Sequence, residues 1–182
     1  FELCWDQLEL PWIVPADKKM VQHQTNPLKV IDNEQRLIVS GVNFDYTFNK
    51  ADGQLCSMKY MSKELLKQGG QLNVWRAPVA NELDDWTNPA LKISPRTEGY
   101  GRMVANAWYS IGLDNIKSKL ESFRVENKGE NVIVTVREIA LFGNADRAGF
   151  ENEMIYMITP DGEISLQHTI NPNGKMPMSL PR

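Results

Sequence analysis

Two places in the chain carry residue types that could do chemistry. The first is the run Leu72 to Pro89, LNVWRAPVANELDDWTNP. Arg76 stands ahead of Asn81, Glu82, Asp84 and Asp85, with Trp86 among the acids. Acids and amides bind hydroxyls, and an aromatic face covers C–H surface, so the set suits a sugar. A strand end with a polar cap explains the same residues, and residue types alone favour that structural explanation. The second place is Glu151 and Glu153. On a strand they share a face, roughly 6.5–7 Å apart at the backbone. The carboxyl pairs that cleave glycosidic bonds stand about 5–9.5 Å apart. Any i, i+2 pair meets that spacing, and two acids on a solvated strand face are the commoner arrangement.

Several other chemistries lack their residues. His23 and His168 are the only histidines, and neither sits near a cysteine at ligand spacing, so no metal site is expected. His168 should fall on an apolar face with Ile164, Leu166 and Ile170, as a satisfied core or edge histidine. There is no nucleophile elbow, phosphate loop or dinucleotide fingerprint. The net charge of -3 leaves no electrostatic footprint for nucleic acid. No basic cluster or long apolar run points to a membrane. The opening FELCWDQLELPW has acids and no basic start, unlike a signal peptide. Cys4 and Cys56 are too few for a disulfide scaffold. They read as reduced, partly buried thiols, with one bridge between them left open.

The elements that must position these residues are mostly strands. With 42% hydrophobic and 24% charged residues, the composition is that of a folded domain. Val42, Phe44, Tyr46 and Phe48 alternate with polar residues as one strand face. Asp52-Gly53 turns that strand into the next. A strand is expected around Glu64–Lys67 and another over Leu72–Pro78, with Trp75 and Arg76 on opposite sides and Pro78 as its stop. Asn131–Leu141 is rich in β-branched residues and follows a hairpin turn, ENKGEN. The turn TPDGE should join Met154, Tyr156 and Ile158 to Ile164, Leu166 and Ile170 on one apolar face. One helix is predicted from Tyr100, Met103, Val104, Ala107, Trp108 and Ile111, capped by Gly112. Residues 1–15 read as a separate strand and 16–27 as a linker, with the main unit over 28–182.

Four ordered pieces resemble one family. VWRAPVANE, Val74 to Glu82, is similar to the W-R-A-P-T-D-N-D signature of large glycoside hydrolase family 2 β-galactosidases, in the domain called the β-galactosidase small chain. Glu2–Pro11 resembles the closing strand of the immunoglobulin-like domain before it. Val39–Met58 resembles its F-D-k-x-x-G-x-L hairpin, and Met176–Arg182 resembles the start of its L-P-R-x-G strand.

The resemblance implies a mainly β fold, an antiparallel β-supersandwich like galactose mutarotases. The chain would be roughly the first half of it, with the helix near residues 100–111. It also implies a piece of a larger retaining enzyme acting on terminal β-D-galactosides. The catalytic glutamates, Mg and Na would sit in a barrel outside this chain, so no catalytic residue or cofactor is expected here. The piece would brace that barrel and line the rim of its site. Arg76 would anchor a loop, and Asn81, Glu82, Asp84, Asp85 and Trp86 would face the galactoside. The family's first acid is Ala80 here and its last is the longer Glu82. Partners would be the rest of the parent chain and the substrate, in a bacterial cytoplasm or periplasm. Half a supersandwich also leaves open edges, so self-association is expected. The alternative is a free-standing carbohydrate-binding or mutarotase-like module.

Overall fold

Period-two alternation builds most of this molecule. The computed structural model describes residues 26–83, 104–144, 148–177 and 179–181. The expected strand over 1–15 and most of the 16–27 linker lie outside them. A first antiparallel sheet runs in chain order through β1 (Lys29–Asp32), β2 (Arg36–Ser40), β3 (Phe44–Asn49), β4 (Leu55–Tyr60) and β5 (Lys63–Glu64). A second contains β6 (Lys117–Lys128), β7 (Asn131–Leu141), β8 (Gly149–Ile158) and β9 (Ile164–Asn173). Between them in the chain lie α1 (Ala80–Leu83) and α2 (Val104–Ile111). The fold is mainly β, as the alternation predicts.

Turn chemistry sets the hairpins. Gly53, Gly129 and Gly162 adopt positive φ at three of them, a backbone conformation that residues with a Cβ rarely take. The β4–β5 turn takes the same conformation without glycine: Met61 and Ser62 have φ of 47° and 65°. A two-residue turn with both φ positive favours Asn-Gly. Replacing Met61-Ser62 by Asn-Gly should therefore raise stability by about 1 kcal/mol, read as a higher thermal midpoint. An unchanged or lower midpoint would show that the turn is not strained.

The two sheets close on a shared core. Leu37, Val39, Phe44, Tyr46 and Phe48 from β2 and β3 meet Val132, Val134, Val136, Met154, Tyr156 and Ile158 from β7 and β8. The Tyr46 hydroxyl donates to the Gly162 carbonyl at 2.6 Å, tying β3 to the β8–β9 turn. A second cluster lies beyond the first sheet: Ala105, Trp108, Leu113, Ala140, Phe142, Ala148 and Phe150. Between the clusters, one row across the second sheet reads Leu120, Glu138, Asn152, Ile170. Its two middle members are buried and polar.

Helix α2 caps the second cluster. Ala105 and Trp108 are its buried residues, whereas Ala107, expected on the stripe, faces solvent. Tyr100 and Met103 lie outside the described residues. Gly112, at φ 74°, ends the helix. Its N–H reaches the Tyr109 carbonyl and the Leu113 N–H reaches the Trp108 carbonyl, at 3.0 and 2.9 Å. That pair of bonds is a Schellman motif, with Leu113 packed beside Trp108 as its apolar contact.

Four expectations are corrected. Leu72–Pro78 joins no ladder: it is irregular chain, and the Trp75 N–H bonds the Asn73 side chain at 3.0 Å instead of a neighbouring strand. Around Glu64–Lys67 only Lys63–Glu64 is strand, because the Glu64 carboxylate takes the Met58 and Leu66 N–H groups. On β9 the apolar face is bare, with Leu166 52% and Ile170 42% exposed, and His168 is exposed beside them. Ile164 packs against the inter-sheet core, and the other nine residues of that strand are exposed. Cys56 is exposed rather than partly buried, its thiol 3.3 Å from the Thr47 carbonyl, and Cys4 lies outside the described residues.

Candidate functional site

The irregular segment after Leu72 is held by its own side chains. Arg76 and Glu82 form a two-pronged ion pair: Nη1 donates to Oε2 at 2.9 Å and Nη2 to Oε1 at 2.7 Å. Arg76 Nη1 also reaches the Ala77 carbonyl at 3.0 Å. Glu82 Oε2 accepts the Val79 N–H at 2.8 Å, while the Glu82 N–H donates to the Val79 carbonyl at 2.9 Å. Val79 therefore stands at the N-cap of α1, and Glu82, three residues on, reaches back to its N–H. This is half of a capping box. Valine has no hydroxyl to supply the other half, so the sequence hides the motif.

Glu82 is buried, at 3% exposure. Hydrogen bonding from Arg76 holds its carboxyl below the usual range, with the Val79 N–H helping and burial opposing. A lowered folded value contributes stability above the unfolded carboxyl range. That stability is lost as pH falls through the folded value. The wild type should exceed Glu82→Gln in thermal midpoint at pH 7, and the gap should close on acidification. A gap constant from pH 7 to pH 3 would show that the carboxylate charge is not what stabilises this turn.

Aromatic packing sets the position of the clamp. The Trp75 ring meets Trp108 edge-on at 6.4 Å and Tyr109 at 5.1 Å. The Arg76 guanidinium lies 6.0 Å from the centre of the Trp108 ring. Trp108 donates Nε1–H to the Ser179 carbonyl at 2.7 Å, bringing the 179–181 segment to the same place. Helical spacing marks Trp108 in the sequence, but its meeting with Trp75 has no sequence signal.

The candidates separate clearly. Arg76 and Glu82 are brought together, and Asn81 stands exposed on the short helix, one residue before Glu82. Asp84, Asp85 and Trp86 lie outside the described residues. The Glu151–Glu153 pair is occupied by cross-strand partners. Arg137 Nε binds Glu153 at 2.6 Å, and Asn173 donates to Glu151 at 2.9 Å. Among the described residues no group of His, Cys, Asp and Glu could hold a metal.

A second polar place had no sequence signal. A cleft of about 660 Å³ is lined by Asp52, Gln54, Gln71, Lys119 and Glu138, among others. Burial pushes the Glu138 carboxyl up, the Asp52 charge adds to this, and the Asn152 carboxamide opposes it. Both amide atoms of Asn152 are buried without a well-aligned hydrogen bond among the described residues.

A family described as "Beta galactosidase small chain" matches residues 40–182. A protein named "Beta-galactosidase" from Priestia megaterium (strain DSM 319 / IMG 1521) is 29% identical over 177 residues. That alignment covers 97% of this chain and 15% of the relative. Another "Beta-galactosidase", from Halalkalibacterium halodurans, is 27% identical over 143 residues, 78% of this chain and 12% of that protein. The chain thus spans under a sixth of the length of either relative. The matched span starts at the last residue of β2 and holds β3 to β9, the Arg76–Glu82 clamp and α2, and the chain belongs to the β-galactosidase small chain family.

Proposed function

We propose that this chain serves as a non-catalytic part of a β-galactosidase that hydrolyses terminal β-D-galactosides with retention. Its part is to brace the catalytic domain and to shape the rim of the active site. The observation that carries this reading is the Arg76–Glu82 clamp. A two-pronged ion pair on a buried glutamate, with a capping bond, fixes the chain just before residue 84, so the polar run after it starts from a rigid base. Asn81, Asp84, Asp85 and Trp86 are the substrate-facing residues in this proposal, while Arg76 and Glu82 position them. Mg and Na would belong to the catalytic domain.

Two measurements test it. The purified chain alone should not hydrolyse a nitrophenyl β-galactoside, and turnover that purifies with it would overturn the non-catalytic role. In the full-length enzyme, Arg76→Ala should lower kcat/KM on the order of tenfold, less than the ~10²-fold that an ångström of misplacement at the reacting groups costs. Unchanged kinetics in the folded Arg76→Ala enzyme would remove the rim role. Saturable galactose binding by the isolated chain, lost on Trp86→Ala, would favour a free-standing carbohydrate-binding module instead.

A further inference from the structure

Ring closure to a succinimide needs an Asn or Asp side chain and the backbone nitrogen of the next residue. Glycine screens that nitrogen least, because it has no Cβ. The sequence holds three such pairs: Asp52-Gly53, Asp161-Gly162 and Asn173-Gly174. All three glycines have positive φ, and their hydrogen bonds tell them apart. Two pairs are tied on both sides. The Gly53 N–H donates to the Asn49 carbonyl at 2.8 Å, and the Gly162 N–H to the Thr159 carbonyl at 3.0 Å. The Asp52 carboxylate accepts the Gln54 N–H at 3.1 Å and the Asn49 carboxamide at 3.0 Å. The Asp161 carboxylate accepts the Thr159 hydroxyl. In the third pair the nitrogen is not tied: among the described residues the Gly174 N–H donates to no carbonyl or side chain. Asn173 is the last residue of β9, opposite Gly149 at the start of β8. Its side chain is held by one bond, from Nδ2 to Glu151 Oε1 at 2.9 Å. Releasing it breaks an end contact and no interior pair of the ladder.

We infer that Asn173 is a site of spontaneous deamidation, held in check by Glu151. The Gly174 nitrogen attacks Asn173 Cγ, the Cγ–Nδ2 bond breaks, and the Gly174 proton leaves with the amide nitrogen as ammonia. The five-membered succinimide then takes up water. Opening at Cγ gives aspartate. Opening at the backbone carbonyl gives isoaspartate, with one methylene added to the main chain. Nothing is oxidised or reduced. Glu151 opposes the first step by keeping the carboxamide turned toward β8. After conversion to aspartate it faces a like charge across the strands, which is destabilising. The chain past Asn173 leads at once to Met176, which packs on the second cluster, and to Ser179, whose carbonyl takes the Trp108 Nε1–H bond. Conversion therefore adds charge and slack to the link that holds this segment against α2.

The test follows each site by peptide mass spectrometry in the 182-residue chain, incubated at mildly alkaline pH, folded and denatured in parallel. Deamidation at 173 raises the peptide mass, and isomerisation at 52 and 161 gives separable peptides of unchanged mass. Folding should slow the reaction at 173 by no more than about tenfold, the worth of one exposed hydrogen bond. It should slow the reactions at 52 and 161 far more. Glu151→Ala should speed conversion at 173 severalfold in the folded chain, with no change at 52 and 161 and none in the denatured chain. The thermal midpoint of the wild type should fall as conversion proceeds. Asn173→Gln, whose ring closure would be six-membered and slow, should keep its midpoint over the same incubation. Protection at 173 as strong as that at 52 and 161 overturns the inference. So does an unchanged folded rate in Glu151→Ala, or an equal fall of midpoint in wild type and Asn173→Gln.

Discussion

Trp108→Ala is expected to destabilise the protein by about 3–5 kcal/mol, the range for removing a fully buried aromatic. The ring is 1% exposed, and three separate contacts converge on it. It forms the floor under Trp75, lies beside the Arg76 guanidinium, and donates Nε1–H to Ser179. In a domain of this size each kcal/mol moves the thermal midpoint by about 2–4 °C, so a fall of roughly 6–20 °C is expected. The damage should be local at first. Trp108 belongs to the second cluster, and the Glu138–Asn152 row separates that cluster from the inter-sheet core. Hydrogen exchange should rise in α2 and around Trp75 before it rises in β2, β3 and the adjoining end of β7. Trp108→Phe keeps most of the volume and loses only the donor, so it should fall well short of the alanine loss. A loss under about 1 kcal/mol for Trp108→Ala, or uniform loss of protection, would mean the two clusters are not separate units.

The uneven legibility of the sequence follows from what periodicity can encode. Phe44, Tyr46 and Phe48 read as a core face because alternation reports which side of a strand a residue is on. The turns at Gly53, Gly129 and Gly162 read correctly because positive φ selects the residue type. Alternation does not report whether a second layer lies over that side. Leu166 and Ile170 have the same pattern as Met154 and Tyr156, and only the extent of the facing sheet distinguishes them. The segment Leu72–Pro78 failed for a related reason. Leu72, Val74 and the residues between them alternate as a strand would, yet the Trp75 N–H is satisfied by Asn73. A side-chain acceptor two residues back competes with any ladder.

The site shows the same limit. Arg76 and Glu82 were legible as residues of interest, Arg76 as a loop anchor and Glu82 as an acid of the rim. Their pairing geometry was not legible, because it depends on α1, four residues of helix with a valine cap. Glu138 and Asn152 carried no signal at all. A glutamate in NVIVTVREIAL looks like one more outward polar residue beside Arg137. It points inward because the register that buries Val132, Val134 and Val136 must also bury position 138. The sheet tolerates this where the first sheet ends and the cleft opens.

That placement makes Glu138 the residue whose replacement should improve the fold. Its folded carboxyl is raised above the ordinary 4.5, first by burial and then by Asp52. A raised folded value favours the protonated native state. The stability it allows is complete below the unfolded value and is lost as pH rises through the folded one. Glu82 has the opposite sign, so the two glutamates tilt the pH profile in opposite directions. At pH 8 wild-type Glu138 holds an unfavourable buried charge, and Glu138→Gln should be more stable by about 1–3 kcal/mol, the cost of a buried polar group lacking full compensation. Acidification should erase the gain, since the wild-type carboxyl then becomes neutral as well. The groups facing position 138 sharpen the test. Asp52 adds repulsion and Tyr156 has its own ionisation raised in part by Glu138. Lys119 lines the same cleft and is the one cation among its described lining residues that could favour the charged form. Thermal unfolding of both proteins from pH 4 to pH 9 decides between them. A Gln variant that is less stable at pH 8, with the deficit growing as pH rises, would mean that Lys119 and not burial governs the carboxylate. The double variant Asp52→Asn with Glu138→Gln should then gain less than the sum of the two single changes, because each removes the same repulsion.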